Sequence, residues 1–128
     1  MKKNRLAAVL SAMAVCSLIH VNAAYANKFE GSVSWTYGDV SGYVTKTTST
    51  STKAAVNWYY TDEQDHKQWF RIVNSNGAKR GEVLVSSCDG MNHLFTNSNT
   101  TQNYIYKLQS KREHIIDPTT HIKGTWRP

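Results

Sequence analysis

The stretch QWFRIVNSNGAKRGEVLVS, residues 68–86, contains the pattern that decides the fold. Residues 68–74 are rich in aromatic and β-branched side chains, a composition typical of a β-strand. Asn76-Gly77 follows, and this dipeptide is the strongest short signal for a hairpin turn. The chain is then expected to return as a second strand over residues 80–86. The stretch therefore predicts an antiparallel β-hairpin.

Alternation of apolar and polar residues continues the β pattern toward the amino terminus. In residues 29–37 every second side chain, including Trp35, falls on one apolar face, which is the period of a half-buried strand. Residues 54–60 repeat this pattern, with Trp58 and Tyr60 on the apolar face. We therefore expect Trp35 and Trp58 to be core residues rather than ligand contacts.

The rest of the chain after residue 26 gives further short β runs and no helical period longer than a turn. Residues 46–53 are polar, which fits a solvated edge strand and a flexible loop equally well. Asp117-Pro118 is a turn signal, because proline fixes the angle that the second turn position needs. The sequence predicts an all-β protein, an antiparallel β-sandwich or small barrel of about eight short strands. The further predicted strands are residues 40–45, 92–95, 104–108 with a bent continuation over 111–116, and 121–126.

Residues 1–26 have the organisation of a secretory signal peptide. A basic start with Lys2, Lys3 and Arg5 precedes an apolar run over residues 6–19, and the segment ends in Ala24-Tyr25-Ala26. The run is too short to span a bilayer comfortably. We therefore expect cleavage before Asn27, a secreted, extracellular single β domain over residues 27–128, and no stable membrane span after processing.

Charge and cysteine content narrow the classes of partner and the source of stability. Three of the 15 basic residues lie in the leader, so 12 remain against 9 acidic residues and the domain carries +3 rather than +6. This small net positive charge favours contact with anionic bacterial envelopes and gives no argument for binding to nucleic acid. Cys88 is the one cysteine after residue 26, so it is either buried or available for a bridge between chains, and burial is favoured. The sequence leaves the oligomeric state open.

The sequence offers few groups of residues that could catalyse a reaction or bind a metal. Cys88, Asp89 and His93 supply the residue types of a nucleophile, an orienting group and a base within six residues, but they match no local signature of a cysteine enzyme. His114 and His121 flank a predicted turn, yet two ligands do not close a zinc site. We therefore predict no catalytic residues, metal or cofactor, with a small secreted hydrolase using Cys88 as a remaining alternative.

Basic and aromatic residues suited to binding concentrate near the carboxyl-terminal end. They lie around one predicted hairpin formed by the last two strands. Such a mixture suits an anionic glycopolymer, a lipid headgroup or a protein partner. The predicted binding residues are Lys107, Lys111, Arg112, Lys123, Tyr104 and Tyr106, with Trp126 beside them.

A second aromatic group offers another binding hypothesis. Four tyrosines together with the Thr/Ser run over residues 45–52 suit a sugar-contacting face, although aromatic alternation in strands is more often core. The four are Tyr37, Tyr43, Tyr59 and Tyr60.

Two resemblances bear on function. The motifs SWTYG at 34–38 and GYV at 42–44, after a leader with an alanine cleavage site, resemble the start of lactococcin-type β-sandwich bacteriocins. The motifs KRE at 111–113, DP at 117–118 and GTW at 124–126 resemble a family of small exported β proteins of Gram-positive bacteria without established function. The first resemblance implies a secreted protein that acts on the envelope of related bacteria without an enzyme site.

The sequence thus yields an ordered set of functional hypotheses. The leading one is a secreted, non-enzymatic β protein that acts by contact at bacterial cell surfaces in a bacteriocin-like role. A cell-wall or extracellular glycopolymer binding module comes second, and the Cys88 hydrolase third. Growth inhibition by the purified protein separates the first from the second, and loss of hydrolysis on Cys88→Ser is the test of the third.

Overall fold

The computed structural model describes residues 26–63 and 65–128 and contains nine β-strands. The predicted signal peptide, residues 1–26, lies outside the described residues except for Ala26, so its cleavage stays a prediction. Within the described part of the chain, no helix is long and apolar enough to cross a membrane. The strands are β1 (Asn27–Val33), β2 (Gly38–Asp39), β3 (Val44–Thr45), β4 (Ala55–Thr61), β5 (Gln68–Asn74), β6 (Lys79–Val85), β7 (Asn92–Leu94), β8 (Ile105–Arg112) and β9 (Thr120–Arg127).

The strands form two antiparallel sheets, which confirms the predicted fold class. The four-stranded sheet has the order β1-β9-β4-β7. The five-stranded sheet has the order β2-β8-β5-β6, and β3 lies along the same edge of β8 as β2. Because β8 and β5 are the long central strands of this sheet, their register decides which side chains share its two faces.

The hairpin predicted from residues 68–86 is confirmed as β5 and β6. Arg71 pairs with Glu82 in the antiparallel register. The side-chain oxygen of Asn74 accepts hydrogen bonds from the backbone N–H groups of Asn76, at 3.0 Å, and Ala78, at 2.9 Å. Gly77 has a φ of 78°, a conformation that glycine adopts without steric cost. Local chemistry therefore fixes this turn.

Aromatic side chains from both sheets meet in the core. Trp58 on β4 and Phe70 on β5 are fully buried, with ring centroids 6.1 Å apart, and Phe29 on β1 lies 5.6 Å from Phe70. Trp126 on β9 is also buried. The prediction that Trp58 is a core residue is confirmed.

The matching prediction for Trp35 is wrong, because this side chain is 53% exposed. β1 ends at Val33, and the Ser34 carbonyl oxygen accepts a hydrogen bond from the Arg112 N–H, at 2.7 Å, on the other sheet. The chain therefore changes sheets at Ser34. The two-residue alternation that held from Phe29 to Val33 does not continue across this change, so Trp35 faces solvent.

Tyr60 is also not on the inward face that alternation predicts. The pairing of β4 with β9 shifts between Trp58 and Tyr60, which is the signature of a β-bulge. The extra residue turns Tyr59 and Tyr60 outward, where they are 51% and 41% exposed. The Trp58 Nε1 group donates a hydrogen bond to the Tyr60 carbonyl oxygen at 2.8 Å, so the core indole is satisfied by the bulge itself.

The last two strands do not form the predicted hairpin. β8 belongs to the five-stranded sheet and β9 to the four-stranded sheet. Residues 111–112 of the predicted continuation belong to β8, which ends at Arg112. Residues 113–116 form a turn instead, in which the His114 N–H donates to the Asp117 carboxylate at 3.1 Å. The chain between β8 and β9 therefore crosses from one sheet to the other.

Candidate binding surface

The outer face of the five-stranded sheet gathers basic and aromatic side chains. On β8 the buried residues alternate with half-buried ones, which places Lys107, Gln109 and Lys111 on the outer side. The register sets Lys111 beside Trp69 and Gln109 beside Arg71 of β5. We call this surface the aromatic-basic face. Its residues are Tyr37, Tyr43, Trp69, Arg71, Lys107, Gln109 and Lys111.

Cations lie over tyrosine rings on this face. The guanidinium carbon of Arg71 is 3.9 Å from the ring centroid of Tyr37, and the Lys111 Nζ is 5.0 Å from the same centroid. The Lys107 Nζ is 5.0 Å from the ring centroid of Tyr43. Each distance falls within the range in which a cation is attracted to a ring face. The contacts hold the rings and the positive charges in one layer.

Asp39 at the end of β2 organises part of the face. Its carboxylate accepts hydrogen bonds from Gln109 Nε2 at 2.8 Å and from Lys107 Nζ at 3.0 Å. The bond from Gln109, together with Lys107, holds the pKa of Asp39 below its usual value, and the bond to Asp39 raises the pKa of Lys107. Among the described residues, no carboxylate lies within ion-pair distance of Lys111, so its charge is available to a partner.

Burial and charge extend the pH range over which the Tyr37 hydroxyl stays protonated. Desolvation, with a smaller effect from the Glu82 carboxylate, raises the pKa of Tyr37 from 10.0 to about 12. The phenol is therefore a hydrogen-bond donor at neutral pH. Together with Lys111 and Arg71, it offers several donors at this end of the face, and the carboxylate near Tyr37, that of Glu82, is paired with Lys79 at 3.0 Å.

The structure brings together two of the six predicted binding residues, Lys107 and Lys111. Tyr104 is 65% exposed and precedes β8. Tyr106 points inward, and its hydroxyl accepts a hydrogen bond from the Thr101 N–H at 2.7 Å. The prediction that Tyr106 belongs to a contact surface is wrong, because the β8 period of two places it on the face opposite to Lys107.

Arg112 is also wrongly predicted as a surface residue, because its side chain is fully buried. It shares the inward face of β8 with Leu108. With the Gln68 amide oriented to satisfy both of its neighbours, the amide oxygen accepts from Arg112 Nη1 at 2.5 Å. Burial lowers the pKa of Arg112, and the nearby Asp117 and Asp65 carboxylates oppose this shift. The guanidinium is a structural cation beneath the sheet.

Lys123 lies on the other sheet. Its Nζ is 5.0 Å from the ring centroid of Tyr60 and 3.7 Å from the Glu30 carboxylate. Because β9 pairs with β1 and β4, this lysine is on the outer face of the four-stranded sheet and separated from Lys107 and Lys111 by the core. Trp126, predicted beside it, is a core residue.

The four tyrosines that were predicted to form one sugar-contacting face do not lie together. Tyr37 and Tyr43 join Lys107 and Lys111, whereas Tyr59 and Tyr60 lie on β4 in the other sheet. Trp69 and Arg71 were missed as members of the surface. Alternation along residues 68–74 places both on the outer side of their strand, but it does not say which strand lies beside them.

The surroundings of Cys88 favour the neutral thiol over the thiolate. Asp89 and His93 are in contact, with carboxylate oxygens 2.9 and 3.0 Å from His93 Nε2. Burial, followed by the Asp65 and Asp89 carboxylates, raises the pKa of the half-buried Cys88 thiol from 9.0 to about 11. A reactive cysteine needs a lowered pKa. The favoured burial of Cys88 is thus partial, against the core.

The histidines do not converge. The His121 Nε2 is 2.7 Å from the Glu30 carboxylate, and the His114 Nε2 is 3.3 Å from the Glu113 carboxylate. Within residues 26–63 and 65–128, no group of three or more His, Cys, Asp or Glu side chains is placed to hold a metal ion. Each of the four histidines in the described part of the chain pairs with a carboxylate: His66, His93, His114 and His121.

Comparison with known proteins gives no relative from which to transfer a function. No family model, no curated protein and no solved structure matches the chain. The resemblances drawn from the sequence motifs therefore stay predictions, and function is argued from the surface chemistry.

Proposed function

We propose that this protein is a secreted, non-enzymatic binding protein that acts by contact with an anionic glycopolymer of bacterial cell surfaces. The observation that carries the proposal is the aromatic-basic face, where three cations lie over two tyrosine rings on one side of one sheet. Tyrosine rings offer flat apolar surfaces with a polar hydroxyl, and the cations beside them supply attraction to an anionic chain.

The charge arrangement favours an anionic partner over a neutral one. Lys107 is paired with Asp39, whereas Lys111 has no acidic partner among the described residues. Arg71 keeps donors on its guanidinium after its Nε bonds the Gln109 side chain at 2.7 Å. A sheet face is also extended, so it suits a linear polymer better than a small compact ligand.

The bacteriocin-like role is the more specific form of this proposal. In that form, attachment through the aromatic-basic face inhibits the growth of related bacteria, as the resemblance of residues 34–38 and 42–44 implies. The purified protein is then expected to inhibit growth and to lose both attachment and inhibition when the face is altered. Attachment without inhibition supports the binding-module form.

A matched pair of double variants tests the face. Lys111→Gln with Tyr43→Ala removes one cation and one exposed ring from the aromatic-basic face. Lys123→Gln with Tyr60→Ala removes the same kinds of group from the opposite sheet. The two replaced tyrosines are similarly exposed, Tyr43 at 46% and Tyr60 at 41%. The measurement is binding of each protein to intact Gram-positive cells across a salt series.

We expect the first double variant to bind roughly five- to thirtyfold more weakly, since the lost ionic contact of Lys111 and the lost aromatic contact of Tyr43 with the polymer are each worth about 0.5–1 kcal/mol. The second is expected to bind like the unmodified protein. Binding of the unmodified protein should weaken as salt shortens the Debye length below its value of about 8–10 Å at physiological ionic strength. Equal, salt-insensitive binding by all three proteins would falsify the proposal.

A further inference from the structure

A second basic site lies where the ends of the two sheets meet. A pocket of about 160 Å³ opens between β3, the first residue of β1 and the end of β9. It contains two cationic side chains and no acidic side chain among the described residues that line it. The lining residues are Asn27, Thr45, Lys46, Thr47, Thr48, Arg127 and Pro128.

Lys46 is a buried cation with donor capacity to spare. Its side chain is 1% exposed, and its Nζ donates to the Thr52 carbonyl oxygen and to an oxygen of Pro128, each at 2.8 Å. An ammonium group has three N–H donors, so one remains. Burial, followed by the nearby Arg127 charge, lowers the pKa of Lys46.

Two further lining groups have unused hydrogen-bonding capacity. Arg127 uses its Nε in a 3.3 Å bond to the Lys53 carbonyl oxygen, which leaves the terminal N–H groups of its guanidinium for a ligand. The Thr48 hydroxyl is shielded from solvent and has no hydrogen-bond partner among the described residues. A hidden hydroxyl without a partner costs free energy, so a rotation of the Thr48 side chain that lets a ligand bond to it is favoured.

We propose that this pocket binds one phosphate group, held by Lys46, Arg127 and Thr48. A phosphate offers several acceptor oxygens and a negative charge, which match two cations and a hydroxyl. The volume exceeds the roughly 30 Å³ that one water molecule occupies in the liquid, so the pocket has room for a polyatomic anion. Cleavage at the predicted site before Asn27 adds an α-ammonium group to one of the lining residues.

The chemistry is the same for inorganic phosphate and for a phosphodiester of a surface polymer. We assign the phosphodiester as the source, and this assignment rests on the proposed function. The pocket then holds a phosphate of the same polymer that the aromatic-basic face contacts, because Tyr43 of that face is two residues from Thr45 of the pocket.

The test is an NMR titration of the purified protein with inorganic phosphate and, separately, with poly(glycerol phosphate), at constant ionic strength set with chloride. Saturable shifts are expected at residues 45–48 and at Arg127 with both ligands. Arg127→Gln should weaken binding about tenfold, as the loss of a charge-assisted hydrogen bond predicts. Lys28→Gln, which removes an exposed cation next to Asn27 but outside the pocket, is the matched control and should bind unchanged.

Thr48→Val separates a ligand site from a structural feature. Removing a hidden, unpartnered hydroxyl should raise the melting temperature of the ligand-free protein, whereas the added stabilisation by phosphate should shrink. A full phosphate effect in this variant would overturn the role of Thr48. Absence of saturable shifts, or equal losses in the Arg127 and Lys28 variants, would overturn the site.

The outcomes also separate the pocket from the proposed function. If phosphate produces no shifts while cell attachment still depends on Lys111 and Tyr43, the pocket proposal fails alone. If phosphate binds in the pocket while the Lys111 and Tyr43 double variant attaches normally to cells, the face proposal fails alone. Saturation by inorganic phosphate without any by the polymer would overturn the assigned source.

Discussion

Gly124→Ala should disrupt the core more than an alanine at any other glycine that the structure describes. Gly124 lies in the middle of β9, between Phe29 of β1 and Trp58 of β4. An added Cβ would clash with the Asn57 backbone oxygen and lie 2.5 Å from two ring carbons of Phe29. The ring can rotate only into a filled core, and the backbone oxygen belongs to a central strand.

The expected cost follows from this geometry. Extra methyl groups in a packed core typically cost about 1–3 kcal/mol, and more where backbone must move. Because both neighbours of Gly124 are fixed, we expect Gly124→Ala to lower the free energy of unfolding by at least about 3 kcal/mol. That is a large part of the stability of a domain of this size. Equilibrium unfolding in urea, followed by tryptophan fluorescence, measures it.

Gly38→Ala is the matched control, because Gly38 also lies in a strand and no heavy atom is within 4 Å of its added Cβ. It should change stability little, or raise it by up to about 1 kcal/mol through the unfolded state. Combining Gly124→Ala with Phe29→Leu should recover part of the loss, since the smaller side chain frees space. A loss below about 1 kcal/mol for Gly124→Ala would refute the packing argument.

Three further predictions concern core, thiol and processing. Trp58→Ala should lower the free energy of unfolding by about 3–5 kcal/mol and Trp35→Ala by about 0.5 kcal/mol or less, because the Trp58 indole is buried and the Trp35 indole is exposed. Urea unfolding measures both losses, and equal losses would contradict this placement. Burial and two neighbouring carboxylates raise the pKa of Cys88 to about 11, so alkylation by iodoacetamide at pH 8 should be at least about tenfold slower than in urea. The free energy of unfolding should also fall as pH rises from about 9 to about 11, where only the unfolded thiol ionises, and a flat profile would count against the shift. Mass spectrometry of the culture medium should find a chain that begins at Asn27, and a start many residues away or a lipidated form would rule out the predicted cleavage.

The sequence alone predicted the structure correctly where local interactions determine the backbone conformation. Asn76-Gly77 predicted the hairpin, because the turn is satisfied by its own side chains and by the φ of 78° at Gly77. The alternation in residues 54–58 placed Trp58 in the core, since a strand that stays in one sheet keeps its period of two. The all-β class followed from the same pattern repeated along the chain.

Only the tertiary structure decided which strands lie side by side, and with them the composition of both candidate sites. Alternation restarts where the chain changes sheets, which is why Trp35 is exposed, and a bulge reverses it at Tyr60. The inward position of Arg112 and the separation of Lys123 from Lys111 depend on the placement of β8 and β9 in different sheets. Pairing between strands far apart in sequence is set by packing across the whole sandwich, so no short pattern contains it.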